Sequence, residues 1–159
     1  MKKIASLIII AFALASCSIS KEARGYNKAI DGNWQLQTVS TEGIMGKINF
    51  QLFNEADYDC FIGTTWNFNN SNSLGHYTIT KTEKGCTPVK RNIRWSIYEP
   101  KNEAKQFQFK KLDDKYKVMD NGDGFRFTMV QLDKNTMQLK SKITFENKPA
   151  WIIYNFVKS

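Results

Sequence analysis

Histidine is almost absent from this chain: His76 is the only one in 159 residues, beside three cysteines and three prolines. That scarcity removes most catalytic readings. General acid–base chemistry draws on histidine more than on any other side chain, and the alternation around His76 sets it with Thr78 and Thr80, opposite Tyr77 and Ile79, on a face expected to meet solvent. No Gly-x-Ser-x-Gly elbow, phosphate loop or zinc motif occurs. Cys60 and Cys86 have no Cys or His partner at ligand spacing. Asp113 and Asp114 are neighbours in a loop-like stretch, which reads as solvation. Residues 120–124, Asp-Asn-Gly-Asp-Gly, have the composition of a calcium loop without its spacing or downstream Glu, and read as a glycine-rich turn. The expectation is a non-enzyme with no catalytic residue, metal or cofactor.

Long hydrophobic runs are also lacking. No stretch reaches the roughly twenty apolar residues of a spanning helix; the longest, residues 4–14, follows Lys2 and Lys3 and ends in Leu14-Ala15-Ser16-Cys17. A positive start, a short apolar core and small residues before a cut are the marks of a secretory signal. Leu-Ala-Ser-Cys resembles the lipobox of bacterial lipoproteins. That likeness implies cleavage before Cys17 and acylation of its thiol by palmitate-type chains, so residues 1–16 read as a lipoprotein signal peptide. Cleavage after Ala15 by the ordinary route, releasing a protein that begins at Ser16, is the competing reading. The expected location is the cell envelope, lipid-anchored at the outer membrane and facing the periplasm or the cell surface, with Ser18 resembling an outer-membrane sorting residue. Each buried methylene contributes about 0.8 kcal/mol, so two or three chains hold durably where one does not.

Acidic residues are outnumbered, 15 against 23 basic. Two of the basic residues and none of the acidic ones lie in residues 1–16, which leaves the remainder at +6. The lysines are scattered as on a solvated surface, so anionic lipid headgroups are the expected electrostatic neighbour and nucleic acid is not a partner. With Cys17 carrying lipid, Cys60 and Cys86 remain as an even pair in an oxidising compartment. A disulfide between them is expected, the alternative being two separate buried thiols.

Residues 17–31 show little apolar periodicity and read as a tether behind the lipidated cysteine. From Gly32 onward, short runs alternate apolar and polar residues with the period of half-buried strands. Trp34 and Leu36 share a face; then Ile48, Phe50 and Leu52; Trp66 and Phe68; Tyr77 and Ile79; Ile93, Trp95 and Ile97; Phe107 and Phe109; Phe125, Phe127 and Met129; Met137, Leu139, Ile143 and Phe145; and a last run over residues 151–157. Residues 53–61 break the pattern and suggest a lid-like loop or short helix carrying Cys60. The predicted fold is all-β, an up-and-down antiparallel meander closing into an eight-stranded β-barrel, with a sandwich as the nearest competitor. Most runs are too short for a membrane-spanning barrel, and the second face carries Arg94, Arg126, Lys140 and Lys142.

Gly32-x-Trp34 followed by Leu36 on the first strand resembles the Gly-x-Trp signature that opens lipocalins, and the resemblance to a bacterial lipocalin-like lipoprotein covers most of residues 32–159. It implies a barrel floor at Gly32 and Trp34, with Lys158 as the basic residue over the tryptophan. It also implies a cup whose interior holds a small hydrophobic or amphipathic ligand, with Trp66, Phe68, Trp95, Phe107, Phe109, Phe125 and Phe127 as candidate walls. Eight strands enclose room for one ligand or for side chains alone. Two functions therefore stay open: a ligand binder, or an accessory interaction lipoprotein of an envelope complex whose barrel is plugged.

Overall fold

The computed structural model describes residues 21–46, 48–83 and 85–159. Residues 1–16, read above as a signal peptide, and the lipidation candidate Cys17 with Ser18 lie outside the described residues.

Strand alternation closes into a barrel here because each run buries one face and finds a neighbour on both edges. β1 (Gly32–Glu42), β4 (Thr65–Asn69), β5 (Leu74–Ile79), β6 (Val89–Tyr98), β7 (Gln106–Leu112), β8 (Phe125–Leu132), β9 (Thr136–Phe145) and β10 (Lys148–Lys158) form the wall. Each pairs antiparallel with the next in this order, and β10 returns to β1, so the barrel is closed and leaves no exposed edge. Register follows the alternation: Trp34 is opposite Trp66 across β1 and β4, and Phe107 and Phe109 are opposite Phe127 and Phe125 across β7 and β8. The apolar face points inward and the outward face carries exposed Arg94, Lys110, Arg126 and Lys142, the reverse of a barrel with a lipid-facing band. No helix among the described residues is long and apolar enough to cross a membrane.

One end of the barrel is closed by α1 (Lys21–Ile30). Its Tyr26, Ala29 and Ile30 face the barrel at helical spacing, and Ile30 is fully buried. Part of the stretch read as tether is therefore a structural cap. Its charged residues conceal the helix from a search for apolar periodicity, because only one narrow stripe touches protein. The helix ends at Ile30, and Gly32, two residues on, has a φ of +109° that suits glycine after a helix C-terminus. The indole Nε1 of Trp34 donates to the carbonyl of Ile30 at 2.6 Å. Lys158 Nζ sits 5.1 Å from the Trp34 ring centroid and donates to the carbonyl of Ala29 at 3.0 Å. A cation here meets both the ring face and the negative end of the helix dipole.

The other end is covered by residues 43–64. Ile48, Phe50 and Leu52, expected as a wall strand, belong instead to this crossing connection, where only β2 (Gln51–Leu52) and β3 (Ala56–Asp57) pair, as a minimal hairpin. Gly43 and Gly46, with φ of +81° and +86°, interrupt the extended chain before the hairpin. Its apolar residues cap the barrel: Leu52 and Phe53 are buried, and Phe50 stacks on Tyr58 at 4.7 Å. α2 (Tyr58–Phe61) follows and carries Cys60.

Cys60 and Cys86 form the disulfide expected from the sequence, with an S–S distance of 2.06 Å, and join the lid to the β5–β6 connection. In the chain-entropy model a loop of this length contributes about 3 kcal/mol. Reduction is expected to lower the melting temperature by several degrees. An unchanged melting curve after verified reduction would remove the bond from the stability account.

Candidate functional site

The inward faces of β4, β6, β7 and β8 bring the seven candidate wall residues into one cluster, but what they enclose is another side chain. Trp66, Phe68, Trp95, Phe107, Phe109 and Phe127 are each at most 4% exposed, and Phe125 is half-buried near the hairpin end. Against four of them, Trp66, Phe109, Phe125 and Phe127, lies the ring of Phe53, carried down from the β2–β3 turn. Its centroid is 5.1 Å from that of Phe61, 5.2 Å from Phe109 and 5.3 Å from Phe125, with Trp66 at 5.8 Å and Tyr154 at 6.0 Å. Most of these contacts are edge-to-face, an arrangement that contributes about 0.5–1.5 kcal/mol per pair beyond burial. The void left among these rings measures about 10 Å³, whereas small-molecule sites run to hundreds of cubic ångströms.

The polar atoms of this core are matched internally. Trp66 Nε1 donates to Thr64 Oγ1 at 3.0 Å, Trp95 Nε1 to the carbonyl of Leu74 at 3.0 Å, and the hydroxyls of Tyr154 and Ser141 meet at 3.2 Å. The interior thus presents no free polar group from these residues to orient a guest. Its boundary is held shut by backbone geometry of a costly kind. Phe53 and Asn54 have φ of 57° and 50°, a conformation that costs a residue with a side chain about 1–3 kcal/mol and persists where surrounding contacts impose it.

Those contacts include a charged latch. Glu55, next in the hairpin, accepts from Arg91 Nη2 at 2.7 Å, Arg91 Nε at 3.0 Å and the Tyr77 hydroxyl at 2.9 Å. Lys111 Nζ is 3.3 Å from the same carboxylate, 3.1 Å from Asp120 Oδ2, and donates to the carbonyl of Asn54 at 3.2 Å. Three wall strands, β5, β6 and β7, therefore grip one lid carboxylate. Burial alone would raise the Glu55 pKa, but hydrogen bonds from Arg91 and Tyr77 and the charges of Arg91 and Lys111 outweigh it and hold the carboxyl below the usual range. Burial, with the adjacent Glu55, pushes the Tyr77 phenol upward, so it stays a donor.

The sequence reading missed Phe53, Glu55, Arg91 and Lys111 as a unit. Parity carried the signal for two of them. Arg91 precedes Ile93 and Trp95 by even steps, and Lys111 follows Phe107 and Phe109 in the same way, so both belong to the inward register. Lys111 is only 2% exposed, and a buried lysine requires a carboxylate.

His76 sits half-buried on the outer face, opposite Asn67 and Asn92, with no carboxylate or nucleophile paired to it in either register. Burial, aided by Lys90, lowers its pKa. Among the described residues no group of three His, Cys, Asp or Glu side chains is arranged to hold a metal ion. Residues 120–124 form a tight turn whose Asp120 is committed to Lys111.

No family model, curated protein or solved structure matches the chain.

Proposed function

We propose that this protein is a lipid-anchored accessory lipoprotein of the cell envelope, with a lipocalin-like barrel that serves as a rigid body and works through its outer surface. The observation that carries this reading is the filled interior: Phe53 packs in among the inward-facing rings, and about 10 Å³ remains beside it. A ligand in the barrel would have to displace Phe53 and the Glu55 latch together. The Leu14-Ala15-Ser16-Cys17 run supports the anchor, and the tight cap that α1 makes against Trp34 and Lys158 supports a fixed orientation relative to it.

Membrane attachment is tested by intact mass and fractionation of protein made in its own cell type. The expected result is a chain that begins at Cys17 with added acyl mass, and Cys17→Ala accumulating as unprocessed precursor. Normal maturation of Cys17→Ala, with no acyl mass on the wild type, contradicts the anchor.

A further inference from the structure

The outer face holds a groove of about 860 Å³ across β6, β7 and β8, bounded on one side by the loop that leads into β8. Its basic residues come from three different strands. Arg94 on β6 is directly opposite Lys110 on β7, and one row along the sheet Ser96 is opposite Gln108, which is opposite Arg126 on β8. Like charges placed directly across a ladder repel, and among the described residues neither Arg94, Lys110 nor Arg126 has a carboxylate within ion-pair distance. Asp123 is the only acidic residue in the lining. An empty groove therefore carries a net positive field, three cations against one carboxylate.

The polar groups are also pre-arranged. Gln108 donates to Ser96 Oγ at 2.9 Å and accepts from Arg126 Nε at 3.2 Å, while the Arg126 guanidinium lies 4.9 Å from the Tyr98 ring. Those contacts fix the arginine through one nitrogen and leave its terminal fork, the part suited to bidentate oxyanion binding, without a partner among the described residues. Gly124, immediately before β8, lies against Lys110. A Cβ there would stand 3.3 Å from Lys110 Cγ and 3.4 Å from the Phe109 carbonyl oxygen, so the glycine lets the Lys110 side chain lie across this point and a larger residue would push it aside. Val118, 48% exposed, supplies an apolar shoulder in the same groove.

We propose that this groove binds an anionic amphiphile, with a carboxylate or phosphate head held by Arg94, Lys110 and Arg126 and an apolar body laid against Val118. The inference rests on the reading that the outer surface does the work. Such a molecule is either free in solution or a lipid within a bilayer, and the shared chemistry is the oxyanion beside hydrocarbon.

Calorimetric titration of the purified mature protein with laurate, dodecyl phosphate, dodecanol and inorganic phosphate tests it. One equivalent of laurate or dodecyl phosphate is expected to bind, with dodecanol and inorganic phosphate at least tenfold weaker and affinity falling with salt. Arg94→Gln and Arg126→Gln should each lose about tenfold, and Gly124→Val, which keeps every charge, should abolish binding. The two glutamine variants keep the test decisive if Gly124→Val does not fold. Sedimentation with phosphatidylcholine vesicles containing phosphatidylglycerol separates the sources: capture that Gly124→Val abolishes indicates a bilayer lipid, and monomer binding without capture indicates a free amphiphile. Absence of binding by laurate, dodecyl phosphate and vesicles alike, or dodecanol binding as well as laurate, overturns the groove and leaves the filled barrel intact. Binding that ignores Arg94→Gln and strengthens in Phe53→Ala places the ligand inside the barrel and overturns both.

Discussion

Glu55→Gln is expected to destabilise the fold by about 3 kcal/mol, the lower end of the cost of removing one partner from a buried ion pair, because the site is not wholly dry. The side chains of Glu55 and Arg91 are 12% and 18% exposed, against 3% for Lys111. The substitution leaves Lys111 with Asp120 as its one carboxylate, beside the Asn54 carbonyl, and weakens the clamp of Arg91 and Tyr77 on the lid. Lys111→Met should cost less, since Glu55 keeps Arg91 and Tyr77. Combining the two should be milder than the sum, because the stranded ammonium is gone. The same latch gives a pH dependence. A carboxyl held below its ordinary value of 4.5 contributes stability that is complete above that value and is lost as pH falls through the folded-state value. Urea midpoints between about pH 6 and pH 3 should fall more steeply for the wild type than for Glu55→Gln. Midpoints of the two proteins that coincide at pH 7 would show that the latch contributes nothing.

Phe53→Ala should cost about 3–5 kcal/mol, as for other buried aromatic truncations. It removes the ring at the centre of the core and leaves a dry, aromatic-lined hole that the closed wall cannot collapse to fill. Such holes accept small apolar molecules. Indole or benzene is therefore expected to raise the melting temperature of Phe53→Ala and to leave the wild type unchanged. At a hundred times its dissociation constant a ligand recovers about 2.7 kcal/mol. Loss of under about 1 kcal/mol in Phe53→Ala, or an equal ligand response in both proteins, would contradict the central packing assigned to Phe53.

The barrel was legible because a half-buried strand prints its inside and outside directly on the sequence. Trp66, Phe68, Trp95, Phe107, Phe109, Phe125 and Phe127 all fall on the inward register that alternation assigns to them. The lid was not legible in the same way. Ile48, Phe50 and Leu52 alternate like a strand, yet their apolar side chains serve a cap, and period-two spacing cannot tell a wall from a cover. The decisive residue, Phe53, adopts a backbone conformation that sequence rules reserve for glycine and asparagine, so its turn toward the axis is imposed by tertiary contacts. Helix α1 was hidden for a related reason: a cap needs only Tyr26, Ala29 and Ile30 to touch the barrel, while exposed Glu22, Arg24 and Lys28 make the segment look like linker. Basic residues divide by parity, with Arg91 and Lys111 inside and Arg94, Lys110 and Arg126 outside. Charge alone does not distinguish a latch from a surface.

The central claim is that the barrel holds its own side chain in place of a guest. Nuclear Overhauser contacts from a selectively labelled Phe53 ring, recorded on protein extracted from its native membrane, test this most directly. Strong cross-peaks are expected from Phe53 to Trp66, Phe109 and Tyr154, and none from those rings to any non-protein molecule. Missing Phe53 contacts, with cross-peaks from a co-purified molecule to Trp66 and Phe109 instead, would show that the barrel is a ligand cup.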